Sequence, residues 1–228
     1  MSAVVSDLEG TLTTGETWRV VGEYLRAHGR GVRYTLFFYS HLPGAMAARA
    51  GLINAQRYRE RWFEDMTALL AGFSRAQIED LMRVIADELW RARRASVIAE
   101  LEQHRAAGAR ILIASGTYQQ AAEAFATRIG GEAIGTPIQF DGAGRATGRL
   151  DGVVSTGEVK AARIRAWLAG DALLAAYGDT EGDIPMLRMA AQPVAVCPDA
   201  ALRTEAITRG WRILEPQPEP TERSPAAN

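Results

Sequence analysis

"VVSDLEGTLT", residues 4–13, ends an apolar run with Asp7 and follows it at once with Glu9, Gly10, Thr11 and Thr13. Val4 and Val5 read as the end of a short buried strand, and Gly10 supplies the turn behind it. Taken alone, the two acids could be solvated turn residues. Three later runs share the shape: "ARILIASG" (109–116), "ALLAAYGD" (172–179) and "PVAVCPD" (193–199) also end in small or acidic residues. Apolar runs of this length without alternation are what strands buried on both faces look like. Helical patterns follow or separate them at 96–108, 118–130, 158–170, 183–191 and 199–210, and Gly108, Gly130, Gly170 and Gly210 fall at C-cap positions. The alternation predicts an α/β fold, a Rossmann-like parallel sheet with helices on both faces.

Residues 16–95 break that rhythm. They carry helical periodicity and no strand pattern, with Ser74 as an N-cap, so they read as an all-helical cap inserted over the end of the first strand. The domain reading is therefore a core of residues 1–15 and 96–214, a cap of 16–95, and a disordered Pro- and Glu-rich tail of 215–228. The glycine-spaced stretch 140–152 reads as a hairpin, since no helix follows it. The apolar stretch 34–53 reads as one or two helices whose apolar face packs internally; a surface for a lipid or a partner is the lesser reading. Trp18, Trp62, Trp90, Phe37 and Phe38 are expected in the core rather than at a ligand, and His28, His41 and His104 in packing or surface roles.

Composition limits the function. At 228 residues, 47% hydrophobic and with a formal net charge of −1, the chain is an ordinary globular sequence with no excess positive charge to hold a nucleic acid. A single cysteine, Cys197, forms no internal disulfide, and no signal-peptide pattern or long apolar run is evident, so a cytoplasmic protein is expected. Of 26 basic residues, Lys160 is the only lysine. Lysine is a compact point charge where arginine is a broad planar fork, so a lone lysine raises the question of a specific use.

The strand ends collect chemistry-bearing residues on one edge: Asp7 and Glu9; Ser115, Gly116 and Thr117; Lys160; and Gly178, Asp179, Thr180 and Asp183. In their order and spacing, "DLEGTLT", "ILIASGT", "GEVK" and "YGDTEGDIPML" resemble the four motifs of the haloacid dehalogenase superfamily, and within it the phosphoserine-phosphatase-like hydrolases with a helical cap after the first motif. The resemblance implies a Mg²⁺-dependent phosphomonoesterase in which Asp7 becomes phosphorylated, Glu9 acts as acid and base, and Lys160, Ser115, Gly10 and Gly116 hold the phosphoryl group. It implies Mg²⁺ on Asp7, Asp179 and the main-chain carbonyl of Glu9, with Asp183 a further metal-site carboxylate. These residue types suit the chemistry: a carboxylate can attack phosphorus, and cations and N–H or O–H donors must meet the charge spread over its oxygens.

Two positions depart from the family pattern: Glu9 stands where the family has aspartate, and Gly182 where phosphoserine phosphatases have asparagine. In the cap, the resemblance sets Glu16 at the place of a glutamate that binds the substrate's amino group, and "RYRER" (57–61) offers Arg57, Arg59 and Arg61 in the region of a carboxylate-binding arginine, with Arg59 taken as the substrate-binding candidate. The expected substrate is a small phosphomonoester, phosphoserine among the candidates. The rival readings are a membrane-surface phosphatase of lipid head groups and a binding module that Glu9 has disabled.

Overall fold

The computed structural model describes residues 2–215; all of the expected tail except Glu215 lies outside them. Six parallel strands form one sheet in the order β3-β2-β1-β6-β7-β8. They are β1 (Ser2–Ser6), β2 (Arg110–Tyr118), β3 (Glu132–Thr136), β6 (Ala172–Gly178), β7 (Gln192–Val196) and β8 (Arg212–Leu214), while β4 (Ile138–Phe140) and β5 (Ala146–Leu150) pair as a separate hairpin.

The central strand shows why these runs are apolar without alternation. Val4 faces one core with Ile111, Ile113, Ala175 and Tyr177, whereas Ala3 and Val5 face a second core with Leu112, Ala114 and Ala176. Successive side chains leave opposite faces of a strand, so a sheet covered on both sides needs apolar residues at every position. The first face is covered by α4 (Arg75–Arg91), α5 (Ala95–Ala106) and α6 (Gln119–Thr127), the second by α7 (Gly157–Leu168), α8 (Ile184–Leu187) and α9 (Ala200–Arg209). Because β1 is central and pairs with β2 and β6, its end meets the ends of both neighbours.

Between β1 and β2 the chain runs through α1 (Thr17–Ala27), α2 (Gly31–Arg49), α3 (Ala55–Ala68) and α4 before α5 returns it to the sheet. Ser74 caps α4 as expected, in a reciprocal arrangement with Gln77. The outgoing and returning segments are tied together: Thr14 N–H donates to Ala92 O at 3.0 Å, Arg94 N–H to Leu12 O at 2.7 Å, and Thr13 Oγ1 to Leu89 O at 2.6 Å. The β4–β5 hairpin bonds to the turn between α3 and α4 rather than to the sheet, through Gly72 N–H to Ala146 O and Ala146 N–H to Phe73 O, each 2.8 Å.

Several local expectations are corrected. β2 continues to Tyr118 and α6 starts one residue later, because Tyr118 is fully buried against Phe63, with Thr67 Oγ1 3.0 Å from its hydroxyl. The helix expected at 183–191 is a 3₁₀ turn at Glu181–Asp183 followed by the four-residue α8. The stretch 34–53 does not pack wholly inside: Tyr34 and Phe37 are buried, but Leu36, Tyr39, Met46, Leu52 and Ile53 are exposed. Helical periodicity brings apolar residues onto faces; it does not state which faces a neighbour covers.

Candidate active site

Asp7 is the first residue after β1, anchored by its N–H donating to Tyr177 O at 2.9 Å. Lys160, in the first turn of α7, donates from Nζ to Asp7 Oδ1 and to Asp183 Oδ1, both at 2.7 Å, and all three residues are buried. Asp183 Oδ2 in turn accepts from Asp179 N–H (3.2 Å), Thr180 N–H (3.1 Å) and Thr180 Oγ1 (3.1 Å). Asp183 thereby fixes both the lone lysine and the loop that carries Asp179. A side chain at Gly178 would collide with it, the Cβ coming within 2.5 Å of Asp183 Cβ.

Asp179 accepts from Thr11 Oγ1 at 3.0 Å, and its Oδ2 lies against Gly10. Gly10 has φ +90°, and a Cβ there would stand 2.0 Å from Asp179 Oδ2, so the turn tolerates only glycine on both counts.

Asp7, Asp179 and Asp183 each offer a carboxylate oxygen within 4.8 Å of the others. Three carboxylates against one ammonium leave two uncompensated negative charges, the charge of one divalent cation. Burial and the neighbouring Asp183 push Asp179 up to about 7, and burial raises Asp7 against the pull of Lys160. Burial disfavours the Lys160 charge, yet Asp183 and Asp7 together hold its value above the usual lysine range. A hard-oxygen site with this imbalance fits Mg²⁺.

Glu9 points away from this cluster. Its Oε2 accepts from Thr17 N–H at 2.9 Å and its Oε1 from Thr17 Oγ1 at 2.5 Å, at the first turn of α1. Thr17 Oγ1 also lies 2.9 Å from Thr117 Oγ1, where either hydroxyl can donate. The extra methylene of glutamate is thus taken up by a seat at a helix N-terminus, where a carboxylate is favoured. Burial nevertheless raises the Glu9 pKa above the ordinary glutamate value, with the Thr17 bonds opposing the shift. Of the expected metal donors, Glu9 has only its main chain left to offer.

Ser115 and Gly116 lie where β2 slips against β3: Ala114 pairs with Ile134 and Tyr118 with Thr136, three residues facing one. Such a bulge re-aims the strand, and Gly116 O is met by Thr136 Oγ1 at 2.9 Å. Ser115 Oγ accepts from Thr117 N–H at 3.3 Å, keeping its own proton for another acceptor. No side chain caps α6, so neither Ser115 nor Thr117 serves as its N-cap.

These groups open into a cavity of about 750 Å³. Its far walls come from the insert: Trp18 from α1, Phe38, His41 and Leu42 from α2, and Trp62, Phe63 and Met66 from α3. Trp18 stacks on Phe38 (centroids 5.7 Å apart, planes 24°) and meets Trp62 edge-on at 6.3 Å. The expectation of pure core roles for Trp18, Phe38 and Trp62 is therefore corrected: they are half-buried and form the cavity wall. His41 also reaches the wall, its Nε2 3.1 Å from Asp65.

Glu16 lines the cavity but pairs with Arg19 at 2.6 Å, and Arg59 lines it from an exposed position, whereas Arg57 and Arg61 do not. Polar lining residues that the sequence motifs do not mark include Arg94, Glu60 and Gln56. Arg94 reaches Gly10 O (3.3 Å from Nη2), Glu60 accepts from Thr156 Oγ1 beside α7, and Gln56 donates to Glu60 at 2.9 Å. Their signal was too weak to read, for each sits in an arginine- or glutamate-rich helical stretch of ordinary composition.

The chain belongs to a known class, since the model for haloacid dehalogenase-like hydrolases matches residues 4–188, which include Asp7, Lys160, Asp179 and Asp183. Among curated relatives, a histidinol-phosphatase of Neisseria meningitidis serogroup C is 41% identical over 88 residues, 36% of this chain and 40% of that protein. Phosphoserine phosphatase SerB1 of Mycobacterium tuberculosis is 36% identical over 139 residues, 58% of this chain and 43% of its own length. The chain thus spans less than half the length of either. A solved protein of unknown function from Bordetella pertussis Tohama I shares the fold, with a TM-score of 0.77 at 24% identity, over 95% of this chain and 99% of that one.

Proposed function

We propose that the chain hydrolyses phosphomonoesters through a phosphorylated Asp7. The observation that carries this is Asp7 itself: a buried carboxylate, oriented by Lys160 on Oδ1, facing a cavity of substrate size. An Asp7 oxygen attacks phosphorus and the bond from phosphorus to the substrate oxygen breaks, while Glu9 gives its proton to that leaving oxygen. Glu9, now a carboxylate, then takes a proton from a water that attacks the acyl phosphate, releasing inorganic phosphate and restoring both side chains. The raised pKa of Glu9 supports the first half, and its Thr17 bonds support the second. Lys160, the Ser115 hydroxyl and the backbone at Gly10 and Gly116 meet the phosphoryl oxygens. Asp7, Asp179 and the Glu9 carbonyl would hold Mg²⁺, with Asp183 close behind, and the ion supplies positive charge for the phosphoryl oxygens.

Residues 16–95 serve as the cap that selects the alcohol. Its walls favour a phosphomonoester whose alcohol bears a ring or other apolar body over phosphoserine, because Trp18, Phe38 and Trp62 offer flat carbon surfaces and Glu16 is already paired. Turnover of p-nitrophenyl phosphate with Mg²⁺ tests the chemistry: Asp7→Asn should lose several orders of magnitude while staying folded, and retained activity in a verified sample would sink the mechanism. Comparing kcat/KM for histidinol phosphate and phosphoserine tests the cap reading, with the ring-bearing ester expected to win.

A further inference from the structure

Seven of the nine large hydrophobic residues exposed among those described fall between positions 32 and 53. Val32, Leu36, Tyr39 and Met46 are each between 65% and 76% exposed, and their steps of four, three and seven residues put them on one face of α2. Leu52 and Ile53 extend the patch beyond the helix end. The helix is 19 residues, roughly 28 Å, long. No helix among the described residues is long and apolar enough to cross a membrane.

The charge around this face is one-sided. From residue 24 to residue 59 there is no aspartate or glutamate, while there are six arginines, in a chain whose formal net charge is −1. Arg26 lies over the Tyr34 ring and Arg30 bonds to Leu69 O and Ala71 O, so these two are occupied. Arg33, Arg49 and Arg57 are exposed and have no ion-pair partner among the described residues. α3, which carries Arg57, packs on α2 where the Tyr58 ring closes over Gly44 and its hydroxyl donates to His41 O at 2.6 Å.

We infer that α2 docks the protein on an anionic membrane surface, lying in the plane of the lipid head groups with Leu36, Tyr39 and Met46 inserted and the free arginines on the lipid charges. An apolar stripe bordered by unpaired cations, with Asp65 held by His41 on the other side of α2, is what such a surface rewards, through buried apolar area and electrostatic attraction together. A second copy of the chain fits worse, because a two-fold pairing through this face would bring the same arginines together without a carboxylate between them. The adjoining flank of α2 carries Phe38, His41 and Leu42 into the cavity, so docking brings the cavity's far wall next to the bilayer.

Co-sedimentation with phosphatidylglycerol vesicles, against phosphatidylcholine vesicles, tests this. The protein should partition to the anionic vesicles and be released by salt. Leu36→Glu with Met46→Glu should lower that partition at least about tenfold, and Arg33→Gln with Arg49→Gln should weaken it selectively on the anionic lipid. Both variants should keep the wild-type melting midpoint and p-nitrophenyl phosphate turnover, because none of the four residues lines the cavity. Absence of wild-type binding, equal binding by the Leu36/Met46 variant, or a solution dimer that this variant splits would each overturn the inference. The turnover measurement reads the chemistry separately.

Discussion

Lys160 touches two carboxylates through one nitrogen, and that geometry makes its replacement by arginine severe although the charge is kept. A guanidinium is broader than the ammonium it replaces and cannot occupy the same point between Asp7 and Asp183. Lys160→Arg should therefore cost at least about tenfold in kcat/KM, equivalent to about 1.4 kcal/mol, with the fold checked by melting. Thr17→Val makes a finer test. Thr17 bonds lower the Glu9 pKa against its burial, so removing the hydroxyl donor lets that pKa rise further. The alkaline limb of the kcat/KM pH profile, beyond which Glu9 no longer holds the proton it gives to the leaving oxygen, should then move to higher pH; an unmoved limb would take Glu9 out of the proton transfer. The residues that meet here were legible as types: Asp7, Lys160, Asp179 and Asp183 each stood at a strand end or helix start. Glu9's seat on Thr17 was not, because it depends on how α1 enters over the sheet, a distance no local pattern contains.

At the scale of elements, the edge strand β8 is held through Arg212, which donates to both oxygens of Glu100 on α5 at 2.7 and 2.8 Å, while Tyr177 of β6 donates to the same carboxylate at 3.0 Å. The Arg212 bonds lead in holding Glu100 below the ordinary glutamate value, with burial opposing. A carboxyl whose folded pKa is depressed adds stability that is present above its unfolded value, about 4.3, and is lost as pH falls through the folded one. Acid melts should show this: wild type loses stability below about pH 4.5, and Arg212→Met, less stable by about 1 kcal/mol at neutral pH, loses less on acidification. Equal slopes would mean the bridge adds nothing. The strand-and-helix alternation that holds these elements was readable because buried parallel strands announce themselves as uninterrupted apolar runs. β3 was not: Glu132–Thr136 is a short edge strand with polar ends, and its pairing with β2 is set by the bulge at Ser115–Thr117.

For the whole molecule, the charge imbalance at the site would couple binding of the proposed ion to folding. Mg²⁺ should raise the melting midpoint, by the equivalent of about 2.7 kcal/mol when present at a hundredfold excess over its Kd, and Asp179→Asn should abolish most of that gain. A midpoint indifferent to Mg²⁺ would remove the ion from these carboxylates. The inserted position of residues 16–95 could be read from the break in alternation, but the exposure of α2 could not, since sequence periodicity leaves open which apolar face finds a neighbour. The paired segments that enter and leave the insert, joined at Thr14, Ala92, Leu12 and Arg94, run directly beside Gly10. Mechanically, this is a fulcrum set next to the load: if the insert swings, the atoms around Asp7 travel least and the aromatic wall at Phe38 and Trp62 travels furthest. Such a swing would widen the cavity at that wall while leaving the geometry around Asp7 in register.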